Sequence, residues 1–148
     1  MELGDSEQPI ILISLTLNDA EIGDVFDHLV VPELLTKWWP TLASVEPGEG
    51  GGFQFDWPDQ GFVLKGSYLA FDRPNRLCYT WNWDHEPTPD QPLIVSVHLV
   101  QSNEQVQINI SHGPFAETEQ GREDLANVRE GWSFFLPRLQ AALTNNKG

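Results

Sequence analysis

Between residues 53 and 112 the chain alternates apolar and polar residues in one stretch after another, then closes on a single long amphipathic pattern. "FQFDW" (53–57) puts Phe53, Phe55 and Trp57 on one face and Gln54 and Asp56 on the other, the period of a strand. "FVLKGSYLAF" (62–71) follows, with Leu64 on its apolar face and Gly66 marking a bulge or a close approach. "RLCYTWNW" (76–83) aligns Leu77, Tyr79, Trp81 and Trp83 against Cys78, Thr80 and Asn82. "LIVSVHLV" (93–100) carries Val95 and Val97, and "VQINISH" (106–112) sets Val106, Ile108, Ile110 and His112 against Gln107, Asn109 and Ser111. Short turns between these runs predict an antiparallel meander with one polar face. Its apolar face needs a cover, and only the last third is long enough to supply one. There Leu125, Val128, Trp132, Phe135, Leu136, Leu139 and Leu143 recur at helical spacing. Pro137 interrupts that stripe and predicts a kink near Ser133.

The first third prepares this sheet. "IILISLTL" (10–17) reads as a strand, and Asn18 with Glu21 has the spacing of a capping box for a helix whose stripe is Ile22, Val25, Phe26 and Leu29. Gly23 weakens that helix by about 1 kcal/mol relative to Ala, so tertiary packing must hold it. Pro32 ends it and opens a second, "PELLTKWW". On a continuous helix Trp38 and Trp39 point about 100° apart, so the pair needs two different surfaces. The order is strand, two short helices, about six further strands and a long helix. With neither repeats nor a linker, residues 1–148 read as one domain.

Composition narrows the function. A formal charge of −14 with eight Lys plus Arg leaves no cationic face for nucleic acid, and it disfavours an anionic membrane surface. Solubility is the plain reading of that charge; a protein partner meeting an acidic surface is the sharper one. The single cysteine forms no disulfide within the chain, which suits a reducing compartment. "MELGDSEQPI" has no long apolar core, and no apolar run approaches the length of a membrane span. The expectation is a cytoplasmic protein without membrane insertion.

Several segments together resemble a known family: "PELLTKWWP", "GGFQF" (51–55), "GSYLAFDRPNRLCYTW" (66–81), "INISHGPF" (108–115) and "EGWSFFLPRLQAAL" (130–143). They are similar to the START and pollen-allergen-like (SRPBCC) superfamily, in the branch of homologues of the heat-shock protein 90 ATPase activator. The resemblance implies an α+β helix-grip fold, with a curved antiparallel sheet wrapped around the C-terminal helix and a cavity between them. It also implies that one of the two adjacent tryptophans borders the cavity mouth; the expectation is Trp38. Pro137 departs from the family's uninterrupted helix.

Aromatic residues facing one helix are the main functional signal, because six Trp and eight Phe interdigitate poorly at native density and leave space behind. Core filling is the plainer reading for any single ring. As a set, Trp38, Trp39, Phe55, Trp57, Leu64, Tyr79, Trp81, Trp83, Val95, Val97, Ile108, Ile110, His112, Leu125, Val128, Arg129 and Trp132 are the candidate lining for a small hydrophobic or aromatic molecule. His112 continues an apolar face and titrates near neutrality when unperturbed, so it suits either a polarising role or a backbone-bonded core histidine. Arg129 beside the helix stripe suits a carboxylate or simple solvation. Asp84, His85 and Glu86 are adjacent on a proline-rich loop, where consecutive side chains rarely converge on one ion. Neither a nucleophile motif nor a phosphate loop occurs, so the expectation is no catalytic residue, no metal and no cofactor. By resemblance, the alternatives are a polyketide cyclase or aromatase using Tyr79, His112 and Arg129, and a protein that modulates a chaperone ATPase.

Overall fold

Alternation in the sequence becomes an eight-stranded antiparallel sheet with one long helix against its apolar face, an α+β helix-grip fold. The computed structural model describes residues 2–5, 9–86 and 92–146. Strands Glu2–Asp5 (β1) and Ile11–Asn18 (β2) precede helices Ile22–Val30 (α1) and Pro32–Leu35 (α2). Leu42–Val45 (β3), Gly52–Trp57 (β4), Phe62–Asp72 (β5), Arg76–Trp83 (β6), Leu93–Ser102 (β7) and Gln105–Gly113 (β8) lead into the helix Glu119–Asn146 (α3). Laterally the strands run β1-β2-β8-β7-β6-β5-β4-β3. Among the described residues, no helix is long and apolar enough to cross a membrane.

The period-2 pattern fixes which residues enter the core. Ile11, Ile13, Leu15 and Leu17 of β2 are buried and pair with His112, Ile110, Ile108 and Val106 of β8. Val95, Val97 and Leu99 extend this layer through β7, and Trp132, Leu136, Leu139 and Leu143 of α3 close it. Each such side chain contributes about 1.5–3 kcal/mol by leaving water. Cys78 takes the opposite face of β6, where its Sγ lies 3.3 Å from Ser96 Oγ.

Local chemistry departs from the sequence reading at several points. β1 and β3 are additional strands of four residues each, too short for alternation to show. Part of the loop "DHEPTPDQP", residues 87–91, lies outside the described residues. Asn18 does not cap α1: it ends β2, and its Oδ1 accepts from Gln105 Nε2 at 2.7 Å. The N-cap is Glu21, without a side-chain cap bond, and Gln101 of β7 takes over. Gln101 Oε1 accepts from Ile22 N at 2.8 Å while its Nε2 donates to Ala20 O at 3.0 Å. Gly23 has a tertiary reason, since a Cβ there would meet the Arg73 guanidinium at 3.0 Å. That group forms a bidentate pair with Asp27 at 2.9 and 3.1 Å, tying α1 to the β5–β6 turn.

α2 stops at Leu35 rather than running through Trp39. The chain tightens there into bonds three residues apart, Lys37 N to Leu34 O and Trp38 N to Leu35 O, each at 3.2 Å. Gly66 is a close approach, because a Cβ would fall 2.1 Å from Thr80 O and 2.5 Å from the Phe53 ring. The bulge itself lies two residues on, between Tyr68 and Ala70. α3 is a single helix with Pro137 inside it.

Replacing the cap tests the first of these arrangements. Gln101→Ala should lower the unfolding free energy by about 1–3 kcal/mol, read from the urea midpoint. An unmoved midpoint would mean that the start of α1 needs no partner from β7.

Candidate functional site

The early end of α2 sets how the sheet's aromatic end is filled. Trp38 and Trp39 stack on each other, with ring centroids 5.2 Å apart and planes 26° apart, instead of diverging onto two surfaces. Trp38 is fully buried, and its Nε1 donates to His28 O at 2.8 Å, which fixes it to α1. Trp39 turns toward the sheet and meets Phe55 at 5.1 Å, Trp81 at 5.9 Å and Trp132 of α3 at 5.3 Å. Trp57 Nε1 donates to Trp39 O at 3.1 Å, so the backbone is held as well as the ring.

Beyond Trp39 the space is not filled. A cavity of about 740 Å³ opens between α3 and one end of β4, β5 and β6. Five of the six tryptophans line it, namely Trp39, Trp57, Trp81, Trp83 and Trp132, along with Val128. The volume falls in the range of small-molecule sites, about 300–1,000 Å³. Gly131 of α3 lies on the wall, and a Cβ added to it would meet nothing within 4 Å. At the mouth Phe134 and Phe62 are 60% and 44% exposed. Arg138 lies over the Phe134 and Phe135 rings at 5.7 and 5.8 Å, and Asp59, Glu86 and Asp124 add carboxylates to the rim.

The candidate residues therefore divide. Trp39, Trp57, Trp81, Trp83, Val128 and Trp132 are wall residues. The expectation that Trp38 borders the cavity is corrected: Trp39 does, because the tightened turn rotates the pair. Phe55, Leu64, Tyr79, Val95, Val97, Ile108 and Ile110 are buried core off the wall, and Leu125 and Arg129 are half-buried off it too. Their inward faces were legible, but where along the sheet the core gives way to space was not. Phe62, Leu93, Phe134, Phe135 and Arg138 line the cavity unanticipated. Phe135 already stood in the helix stripe, and Phe62 opens a strand opposite Trp57. These were the available signals.

His112 sits behind the wall, fully buried. Its ring lies edge-on to Trp81 at 4.5 Å and stacks on Phe115 at 5.4 Å. Trp132 Nε1 donates to His112 Nδ1 at 3.0 Å. In a neutral imidazole that bond puts the proton on Nε2. Burial pushes the pKa down from 6.5 to about 3, so the ring is neutral at physiological pH. Among the described residues, His112 Nε2 and Trp81 Nε1 are buried without a hydrogen-bond partner. Leaving such a donor unmatched costs about 1–3 kcal/mol. Burial also raises the Tyr68 and Tyr79 hydroxyls, keeping both protonated. Asp84 pairs with Lys65 at 3.1 Å, while His85 Nε2 stays 3.6 Å from Glu86 Oε1 with its ring near Phe62 and Trp83, so Asp84 takes a partner outside the triplet. Among the described residues no group of three or more His, Cys, Asp or Glu gathers around one point.

A curved sheet gripping a C-terminal helix is the fold of the SRPBCC class of proteins. The chain belongs to the family described as activator of Hsp90 ATPase homolog 1-like protein, whose pattern it matches over residues 19–144. No curated protein sequence matches it. Solved structures share the fold at low identity. Protein MLL2253 from Mesorhizobium loti is 22% identical, covering 90% of this chain and 97% of its own, with a TM-score of 0.76. CalU16 from Micromonospora echinospora is 22% identical over 93% of this chain and 78% of its own, with a TM-score of 0.72. PFC0360w, an HSP90 activator from Plasmodium falciparum, is 16% identical over 90% and 96%, with a TM-score of 0.70.

The buried imidazole gives a pH dependence with a definite sign. An unfolded histidine takes up a proton near pH 6.5, whereas the folded one does not until about 3. His112 therefore contributes stability that is fully present above pH 6.5 and is lost as pH falls toward 3, at up to about 1.4 kcal/mol per pH unit. Denaturant midpoints measured from pH 7 to pH 4 should fall less steeply in His112→Gln than in the native chain. Nitrogen shifts of labelled His112 should remain those of a neutral ring at pH 5; a charged ring at that pH would contradict the assignment.

Proposed function

We propose that this protein is a noncatalytic binding module for a small hydrophobic or aromatic molecule, held between the sheet and α3, with residues 1–148 acting as one such module. The observation that carries this reading is the 740 Å³ space walled by five tryptophans, with Gly131 opening onto it. Concave apolar space with a few polar groups at its rim is the usual form of a ligand site. Tryptophan adds wide, flat surface at low cost in side-chain freedom. A cyclase-like reading has less support, because Tyr79, His112 and Arg129 all lie off the cavity wall. Modulation of a chaperone ATPase is the second reading, favoured by the family description, the Plasmodium relative and the charge of −14. A low-salt pull-down from native lysate that enriched no heat-shock protein 90 would count against it.

Native mass spectra of protein purified from its own host should carry a small-molecule mass that disappears on denaturation. Gly131→Leu fills the open space with a side chain that meets no neighbour at its Cβ and favours the helix by up to about 1 kcal/mol. It should therefore keep the melting temperature or raise it, yet lose the bound mass. A bare native protein, or a mass retained in Gly131→Leu, would overturn the assignment of the cavity as the ligand site.

A further inference from the structure

The mouth of the cavity differs from its floor. Trp39, Trp57, Trp81 and Trp132 are buried, whereas Phe62 and Phe134 are exposed and Trp83 and Phe135 are half-buried. Rings near the opening are tilted against each other: Phe62 meets Trp83 at 53° with centroids 5.6 Å apart, and Trp57 meets Trp83 at 55° and 5.8 Å. Tilted rings offer more than one face to a rounded group, where parallel rings offer a slot to a flat one. An aromatic face attracts a cation lying within about 6 Å of its centroid. One such contact already exists here, since the Arg138 guanidinium lies 5.7 and 5.8 Å from the Phe134 and Phe135 centroids. Charge at the mouth acts in the same direction. Among the described residues lining the cavity, Asp59, Glu86 and Asp124 stand against Arg138 as the one Lys or Arg, an excess of two negative charges with His85 counted neutral. Asp59 and Glu86 are exposed and Asp124 is half-buried, so all three keep surface open to solvent. Lys65, on the strand that borders this end, is already engaged by Asp84 at 3.1 Å. The net charge of −14 extends the same field outward.

We propose that the cavity takes an organic cation, a hydrophobic amine or quaternary ammonium. Its apolar body enters among the tryptophans, and its charged nitrogen stays at the mouth, against Phe62 and Trp83 and in the field of Asp59, Glu86 and Asp124. This rests on the ligand-binding reading and specifies the charge of the ligand. Holding the nitrogen at the opening leaves it partly hydrated, which avoids the cost of burying a charge against the inner rings. A neutral molecule of the same shape gains the apolar contact without the attraction of the rim. A carboxylate meets the same field with the opposite sign and finds only Arg138 to favour it.

Benzyltrimethylammonium and neopentylbenzene share one shape and differ in charge, and phenylacetate supplies the opposite sign; binding of each is followed by tryptophan fluorescence. At low salt the cation should bind about tenfold more tightly than the hydrocarbon, with phenylacetate weakest. That advantage should shrink at about 1 M salt, where the screening length falls to about 3 Å. Glu86→Gln combined with Asp124→Asn should reduce the ratio to about threefold or less. Arg138→Gln removes the competing charge and should tighten the cation. Neopentylbenzene or phenylacetate binding as tightly as the cation, or a ratio that the carboxylate variant leaves unchanged, would overturn this inference while leaving the cavity a ligand site. Failure of all three probes to bind would overturn the ligand-binding reading together with it.

Discussion

The packing of Trp39 between the sheet and α3 is the contact on which the rest of the site depends. It lies within 6.2 Å, centroid to centroid, of Trp38, Phe55, Trp57, Trp81 and Trp132, and so joins the turn after α2 to β4, β6 and the terminal helix through one ring. Its neighbour Trp38 gives it a fixed platform, anchored to α1 by a buried hydrogen bond. An indole this large ends the close-packed core at that point, because the next rings can touch its edge and face without covering everything beyond. The cavity is the space left on the far side.

The molecule thus has two unlike ends. Toward β2, β7 and β8 the interior is filled by branched aliphatic side chains such as Ile11, Val95, Ile108 and Leu139, which interdigitate and exclude solvent. Toward the ends of β4, β5 and β6 the interior is lined by rings and stays open. His112 stands at the boundary, on the last residues of β8, with the aliphatic core on one side and the Trp81–Trp132 wall on the other. Rigidity on one side and space on the other is a physically sensible way to hold a ligand without reshaping the fold.

Much of this fold was legible from residue order. The strands of β2 and β4 to β8 follow from alternation, and the stripe from Leu125 to Leu143 identifies the covering helix. Competing local chemistry hid the remainder. Asn18 looks like a cap because its spacing to Glu21 is right, but Gln105 takes its side chain and Gln101, some eighty residues away, satisfies the helix start. Such substitution of a distant partner for a local one leaves no trace in spacing. Trp38 and Trp39 were read on a continuous helix, and the switch to tighter bonds after Leu35 turned Trp39 to the cavity in place of Trp38. The wall itself was half legible: periodicity reports that a residue faces inward, but not whether another side chain meets it there. Phe62 and Phe135 needed the three-dimensional packing to be seen.

Under the binding proposal, the Trp-lined end of the grip admits a ligand while the Trp38 side stays sealed. Fluorine NMR of protein labelled with 5-fluorotryptophan tests it most directly, because the six tryptophans report both regions in one spectrum. Single Trp→Phe variants assign the resonances, and 1-acetonaphthone serves as the probe. The signals of Trp39, Trp57, Trp81, Trp83 and Trp132 should shift together along one saturable curve, and the Trp38 signal should move least. Six signals unchanged at saturating probe, or a response dominated by Trp38, would contradict the proposal.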